Sequence, residues 1–199
     1  MVDVTAPFAD ATVKNRQPIV EELKKLLRNS NKVLEIGSGT GQHAVWFAPR
    51  LSWLTWLPSD LPDQLFGIER WIKDFPSDNL AQPIALNVSE SWPKTEHDVI
   101  FSANTAHIMQ PQEVEKMITN GAGSLPSRGL FCLYGPFIFE NTALAKSNIK
   151  FNRKLQDLHP GMGIRKFDDL DVLALAGSMK LLEINSMPAN NHLLVWQKI

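Results

Sequence analysis

The chain has one cysteine, Cys132. That excludes an internal disulfide and any zinc site built on thiolates. Its neighbours Gly129-Leu130-Phe131 and Leu133-Tyr134 are mostly apolar, so the thiol reads as a buried core side chain. No apolar run reaches the roughly 20 residues that a membrane span requires. The first residues, Met1-Val2-Asp3-Val4-Thr5-Ala6-Pro7, lack a basic stretch followed by an apolar one, so no secretory leader is expected. No membrane partner and a cytoplasmic location are the expectation. There is no excess charge of either sign: 20 Lys and Arg stand against 21 Asp and Glu, a formal net charge of −1. Such a chain offers no broad cationic field to the phosphates of nucleic acid. Internal repeats and low-complexity tracts are lacking too. The five histidines, His43, His97, His107, His159 and His192, are scattered without paired helical spacing, and no metal is expected.

What is present is apolar and alternating. With 199 residues, 44% of them hydrophobic, the chain is long enough for one full core, and a single domain over 1–199 is expected. Residues 1–17 read as irregular. Pro18 suits the first turn of a helix reaching about Leu27, with Ile19, Leu23, Leu26 and Leu27 on one face. Strands are predicted at Lys32–Ile36, at Leu54–Leu57 (closed by Pro58), at Pro83–Leu86, at Asp98–Ala103 and at Leu130–Tyr134. Helices are predicted between them, over Gly41–Ala48, Asp63–Phe75 and Pro111–Asn120. Alternation of this kind predicts a parallel sheet flanked by helices. At the end, Lys180–Met187 and His192–Gln197 are separated only by Pro188-Ala189-Asn190-Asn191, too short for a parallel crossover, so they pair antiparallel.

Val33-Leu34-Glu35-Ile36-Gly37-Ser38-Gly39-Thr40-Gly41-Gln42-His43 carries the most chemistry. Glycines at alternate positions after a strand allow positive φ and close approach of a ligand to the main chain. The helix that follows turns its free N–H groups toward that ligand. Dinucleotide sites use G-x-G-x-x-G, but here Gln42 stands at the last position. S-adenosylmethionine (SAM) sites use an acid two residues before G-x-G-x-G, and Glu35 stands there, where a carboxylate can hold the methionine ammonium directly or through water. Asp60, about 20 residues beyond the loop, is placed to accept from both ribose hydroxyls; a helix N-cap is the alternative use of that acid. Asn87-Val88, after the third strand, is placed to read the adenine edge. The expected cofactor is SAM, and its expected contacts are Glu35, Gly37, Ser38, Gly39, Thr40, Gly41, His43, Asp60, Asn87, Val88 and Asn104.

Asn15-Arg16-x-Pro18-Ile19, the glycine segment through His43, Trp56-x-Pro58-Ser59-Asp60, Asn104-x-x-His107-Ile108 and Leu133-Tyr134-Gly135-Pro136-Phe137 together resemble one family. So do Ser147-Asn148, Met162-Gly163-Ile164-Arg165 and Met187-Pro188-Ala189-Asn190-Asn191. It is the small methyltransferase-like group containing methyltransferase-like 26, long known as a domain of unknown function. The resemblance runs from about Asn15 to Trp196. It implies a SAM-dependent methyltransferase and a Rossmann-like class I α/β fold: a three-layer sandwich on a mostly parallel seven-stranded sheet with a C-terminal antiparallel hairpin. It supplies no acceptor, and Asn87 departs from it, an acid being expected there.

Ligands of open α/β sheets bind beyond the carboxyl ends of the strands. Asn104 and His107 after the fourth strand, and Tyr134 and Phe137 at the fifth, are therefore the expected acceptor side, with a small-molecule acceptor. His107 is the candidate general base, and the hydroxyl of Tyr134, the only tyrosine, a second candidate catalytic group. Residues 138–178 read as a lid insertion that brings Asn148 and Arg165 to the acceptor, Arg165 to hold an acidic group. Asn190-Asn191 reads as a hairpin turn. Two other functions fit the pattern less well: a non-catalytic SAM-fold interaction module and a nicotinamide-dependent oxidoreductase.

Overall fold

The computed structural model describes residues 6–92 and 94–199. The chain forms two compact units, Met1–Asn87 and Val88–Ile199. The first contains α1 (Asp10–Leu26), β1 (Lys32–Ile36), α2 (Gln42–Phe47), β2 (Thr55–Asp60), α3 (Leu65–Asp74) and β3 (Ile84–Ala85). The second contains β4 (Val99–Ala103), α4 (Pro111–Ser124), β5 (Leu130–Gly135), β6 (Phe137–Ile138), α5 (Lys146–Leu158), β7 (Arg165–Lys166), α6 (Phe167–Ala176), β8 (Met179–Met187) and β9 (Asn191–Lys198). The strands follow the order β3-β2-β1-β4-β5-β9-β8 in a seven-stranded, mostly parallel sheet that ends in antiparallel strands.

In the first unit β1 runs parallel to β2, from Lys32↔Thr55 to Ile36↔Ser59. Val33 to Ile36 are all buried, as expected of a strand covered on both faces. Two expectations need correction. β2 does not close at Pro58 but continues to Asp60. Alternate residues of β2 bond to opposite sides: Thr55 N–H reaches Asn31 O, whereas Trp56 N–H reaches Asn79 O. Pro58, two residues on, directs its missing N–H to the outer side, in the gap between the Trp56↔Leu80 bridge and the Ser59↔Ile84 pair. The ladder loses nothing there. Helix α1 likewise starts at Asp10, so the segment expected to be irregular is helical from there, and Pro18 lies inside the helix. An interior proline costs about 3 kcal/mol. Fully burying Ile19, Val20 and Leu23 returns about 1.5–3 kcal/mol each and outweighs it. The start is fixed from a distance, because Gln42 Oε1 accepts the N–H of Ala9, the capping residue, at 2.6 Å.

In the second unit β4 and β5 are parallel, β5 and β9 antiparallel, and β9 and β8 antiparallel. Phe101, Phe131, Cys132, Leu133, Leu194 and Val195 are fully buried, so Cys132 is the core thiol expected of it. A short 3₁₀ turn, Pro188–Asn190, joins β8 to β9, with Ala189 and Asn190 both at positive φ. Residues 138–178, read as a lid insertion, hold regular elements: β6 pairs with β7, α5 and α6 are regular helices, and α6 packs against α4 and β8. Among the described residues, no helix is long and apolar enough to cross a membrane.

Candidate functional site

β1 ends at Ile36, and the chain turns through Gly37, Gly39 and Gly41 at φ of 69°, 57° and 87°. Each lies in the left-handed region where a side chain is strained. Gly41 needs glycine twice over, because a Cβ there would lie 2.9 Å from the Cα of Ile68 on α3. Among the described residues, nothing lies within 4 Å of a Cβ built on exposed Gly39. The loop is fastened to the end of β2: Ser38 N–H donates to Ser59 O at 3.0 Å, and Ser59 N–H to Ser38 Oγ at 3.1 Å. Gly41 N–H closes the turn on Ser38 O. Thr40 Oγ1 donates to Gln42 Oε1. Gln42 therefore joins the loop to the start of α1, a role the sequence reading did not give it.

Asp60, half-buried at the end of β2, accepts Gly39 N–H at 2.6 Å on Oδ2 and Leu61 N–H at 2.8 Å on Oδ1. Burial raises its carboxyl, while these two amides pull it down and Asp63 pushes it up. It caps no helix by a side-chain bond. Glu35 lies nearby and feels the charge of Asp60, but it is 1% exposed, and its Oε2 accepts Trp56 Nε1–H at 2.9 Å. Burial pushes its carboxyl up to about 7 against the pull of Trp56 and Ser38. The acid expected to contact the cofactor is buried, and Trp56 is the partner the sequence reading missed. His43 is buried as well. Its Nε2 meets Asn15 Oδ1 of α1 at 2.8 Å and its ring stacks on Phe47. Burial, then the charge of Arg16, lowers it to about 3. It is a neutral helix-packing group. Asn87, half-buried, closes this unit.

In the second unit Val88 is buried, and its carbonyl accepts from Trp92 and Asn120 side chains. Asn104 leaves β4 at φ 60°, its N–H on Tyr134 O at 2.9 Å. His107 is buried, edge-on to Phe151 at 5.2 Å between centroids. Burial, then Arg165, lowers it to about 4, so it is neutral at pH 7 and only weakly basic. Arg165 donates to Ala106 O and Gly161 O at 2.9 Å each and to Met109 O. These bonds clamp the loop after β4. Tyr134 is 2% exposed within β5. Phe137 and Asn148 do come together, lining a cleft of about 380 Å³ with Phe139, Asn190 and His192. Asn148 Nδ2 donates to Asn190 O at 3.2 Å, and Nδ1 of His192 is buried without a hydrogen-bond partner. His192 was missed, although it directly follows the Met187–Asn191 motif. Among the described residues, no group of three or more His, Cys, Asp or Glu is placed to hold a metal ion.

Solved structures share this fold. An O-methyltransferase family protein from Burkholderia thailandensis is 15% identical, with 95% of this chain and 57% of that one covered, at a TM-score of 0.81. The mitomycin 7-O-methyltransferase MmcR is 12% identical, covers 95% and 54%, and scores 0.82. PigF, in a structure with SAH, is 14% identical, covers 94% and 56%, and scores 0.80. The chain thus spans a little over half the length of these proteins, and at such identities the likeness is one of fold. A family model described as "Protein of unknown function (DUF938)" matches residues 6–198.

Proposed function

The chain belongs to the family described as protein of unknown function (DUF938), and on that premise we propose that it is a SAM-dependent methyltransferase acting on a small-molecule acceptor. One observation carries the reading: three alternate glycines at positive φ open a backbone turn whose central amide, Gly39, is held by the Asp60 carboxylate at 2.6 Å. The residues fit the cofactor. Gly39 faces open space, and half-buried Asp60 keeps lone pairs for ribose hydroxyls, since each oxygen accepts one amide and can accept again. Glu35, enclosed with Trp56, is a positioning residue that braces the loop. When bound, SAM supplies a methyl group already activated on a sulfonium, so the protein's share is alignment and exclusion of water. The similar structures named O-methyltransferases, and the one with SAH, support the reading.

On the acceptor side, a cleft of about 380 Å³ walled by Phe137 and Phe139 with Asn148 suits a small, largely apolar molecule. His107 is the proposed base, with Tyr134 and Asn104 beside the acceptor. As a finer placing, the chain sits with the methyltransferase-like 26 group and acts as one cytoplasmic domain with 138–178 as its lid. Slower amide exchange in 138–178 on adding SAH tests the lid, and unchanged exchange removes it.

Calorimetric titration with SAM, then with a nicotinamide nucleotide, tests the cofactor. Heat from SAM alone is expected; heat from the nucleotide alone overturns the reading. Asp60→Ala weakens SAM by about 1–3 kcal/mol, the cost of unpaired hydroxyls. Incubation with methyl-labelled SAM and a metabolite extract tests catalysis: label moves to a small molecule, and Gly39→Arg abolishes the transfer. Absence of label from every fraction favours the non-catalytic module.

A further inference from the structure

The Asn15-Arg16 motif is not absorbed by the SAM reading, and α1 explains where it goes. Asn15 fixes His43, and Arg16, next along the helix, lies on Trp46 of α2 with its guanidinium carbon 3.6 Å from the ring centroid. Arg50 lies 3.4 Å from the same centroid. Two guanidiniums this close to one centroid must occupy opposite faces of the indole. Neither is paired with a carboxylate among the described residues; Arg50 donates to Trp46 O. The indole N–H between them is buried and has no acceptor among the described residues, a costly state for a strong donor. These groups open on a cleft of about 540 Å³ whose other wall is Trp71 stacked on Phe75 at 5.3 Å. Phe75 is 55% exposed, and among the described residues the lining contains no acid. Two positive charges, an orphan donor and a flat apolar wall define one ligand chemistry: an anionic head on a planar body.

We propose that this cleft is a binding site for a small aromatic carboxylate, its anion drawn by the combined charge of Arg16 and Arg50 and its ring laid against Trp71 and Phe75. Trp46 acts as a spacer, its two faces keeping the guanidiniums apart. All of these residues belong to the first unit, and the inference does not rest on the cofactor reading.

Titrating the full chain with 1-naphthoate tests it, by calorimetry and by the indole ¹H–¹⁵N signal of Trp46, assigned with Trp46→Phe. Naphthoate is expected to bind and to move that signal, while 1-naphthamide (same body, no charge) and acetate (charge, no body) bind at least about tenfold more weakly. Arg16→Gln with Arg50→Gln should weaken naphthoate by about tenfold or more and leave SAM titration unchanged. Replacing both by Lys should restore only part of the affinity, because an ammonium cannot stack or fork. Equal binding of the amide, undiminished binding in the Gln pair, displacement of naphthoate by SAM, or no binding at millimolar naphthoate overturns the proposal. If the Gln pair unfolds, the acid-against-amide contrast on the unmodified chain decides.

Discussion

The turn after β1 and the turn after β4 follow equivalent parallel strands, yet they are held by opposite means. After β1 the chain uses residues without side chains: three glycines at positive φ, fastened to the end of β2 by backbone and short polar groups. After β4 it uses one left-handed asparagine and then a clamp, Arg165, arriving from 56 and 59 residues further along to take the carbonyls of Met109 and Ala106. A loop that lets a ligand approach its main chain closely is built from residues without side chains. A loop whose carbonyls turn inward can be satisfied from anywhere in the unit.

The largest effect expected from this contrast is at Gly41. A valine there must adopt φ near 87° and push its Cβ against the Ile68 backbone. Strain of about 1–2 kcal/mol for the left-handed backbone adds to about 1–3 for overpacking, so Gly41→Val should cost about 4 kcal/mol in urea unfolding. A cost under about 1 kcal/mol would mean that the turn is not fixed by its backbone.

Next comes Glu35. A carboxyl raised from 4.5 to about 7 by burial favours the folded state below pH 4.5, where it is protonated in both states. That stability is lost as pH rises toward 7, because the unfolded chain ionises first. Glu35→Gln should therefore gain on the wild type by about 3 kcal/mol between pH 4.5 and 8. His43 and His107 work in the other direction: burial lowers them to about 3 and about 4, so stability falls as pH drops below 6.5. A parallel pH profile for Glu35→Gln would show that the carboxyl is not the buried group described.

Arg165→Gln probes the other turn. Losing charge-assisted bonds to three carbonyls at a half-exposed site should cost about 2 kcal/mol and speed amide exchange across residues 106–109, with Arg165→Lys rescuing little. SAM affinity, which the proposal rests on Gly39 and Asp60 of the first unit, should not change by more than about twofold. A larger fall would return Arg165 to the ligand.

The same contrast governs what could be read in advance. β1, β4, β5 and the hairpin were legible because uninterrupted apolar runs bounded by turn residues mark buried strands. The glycine loop was legible because its chemistry lies in consecutive residues. α5 and α6 were not: α5 buries only Asn148 and Leu155 while exposing Ile149, Phe151 and Leu158, and α6 exposes Val172 and Leu175, so the apolar period is blurred. The start of α1 depends on Gln42, more than thirty residues away. The motif at Glu35 points to a ligand contact and says nothing of its enclosure. A strand buried on both faces gives every side chain to the interior, and that signal pointed to a buried acid needing a donor such as Trp56.

The smallest stability effect is the most informative. Gly39 shares left-handed φ with Gly41, but nothing lies within 4 Å of an added Cβ, so Gly39→Ala pays only for its backbone, about 1 kcal/mol. If the space it faces is where the cofactor lies, a methyl group there obstructs SAM while barely disturbing the fold. Affinity should then fall by about tenfold or more in a protein that unfolds almost like the wild type. Gly41→Ala should show the reverse emphasis, losing stability first. Were Gly39→Ala to bind SAM undiminished, both glycines would serve the turn alone, and the difference between the two loops would be one of construction with no bearing on function.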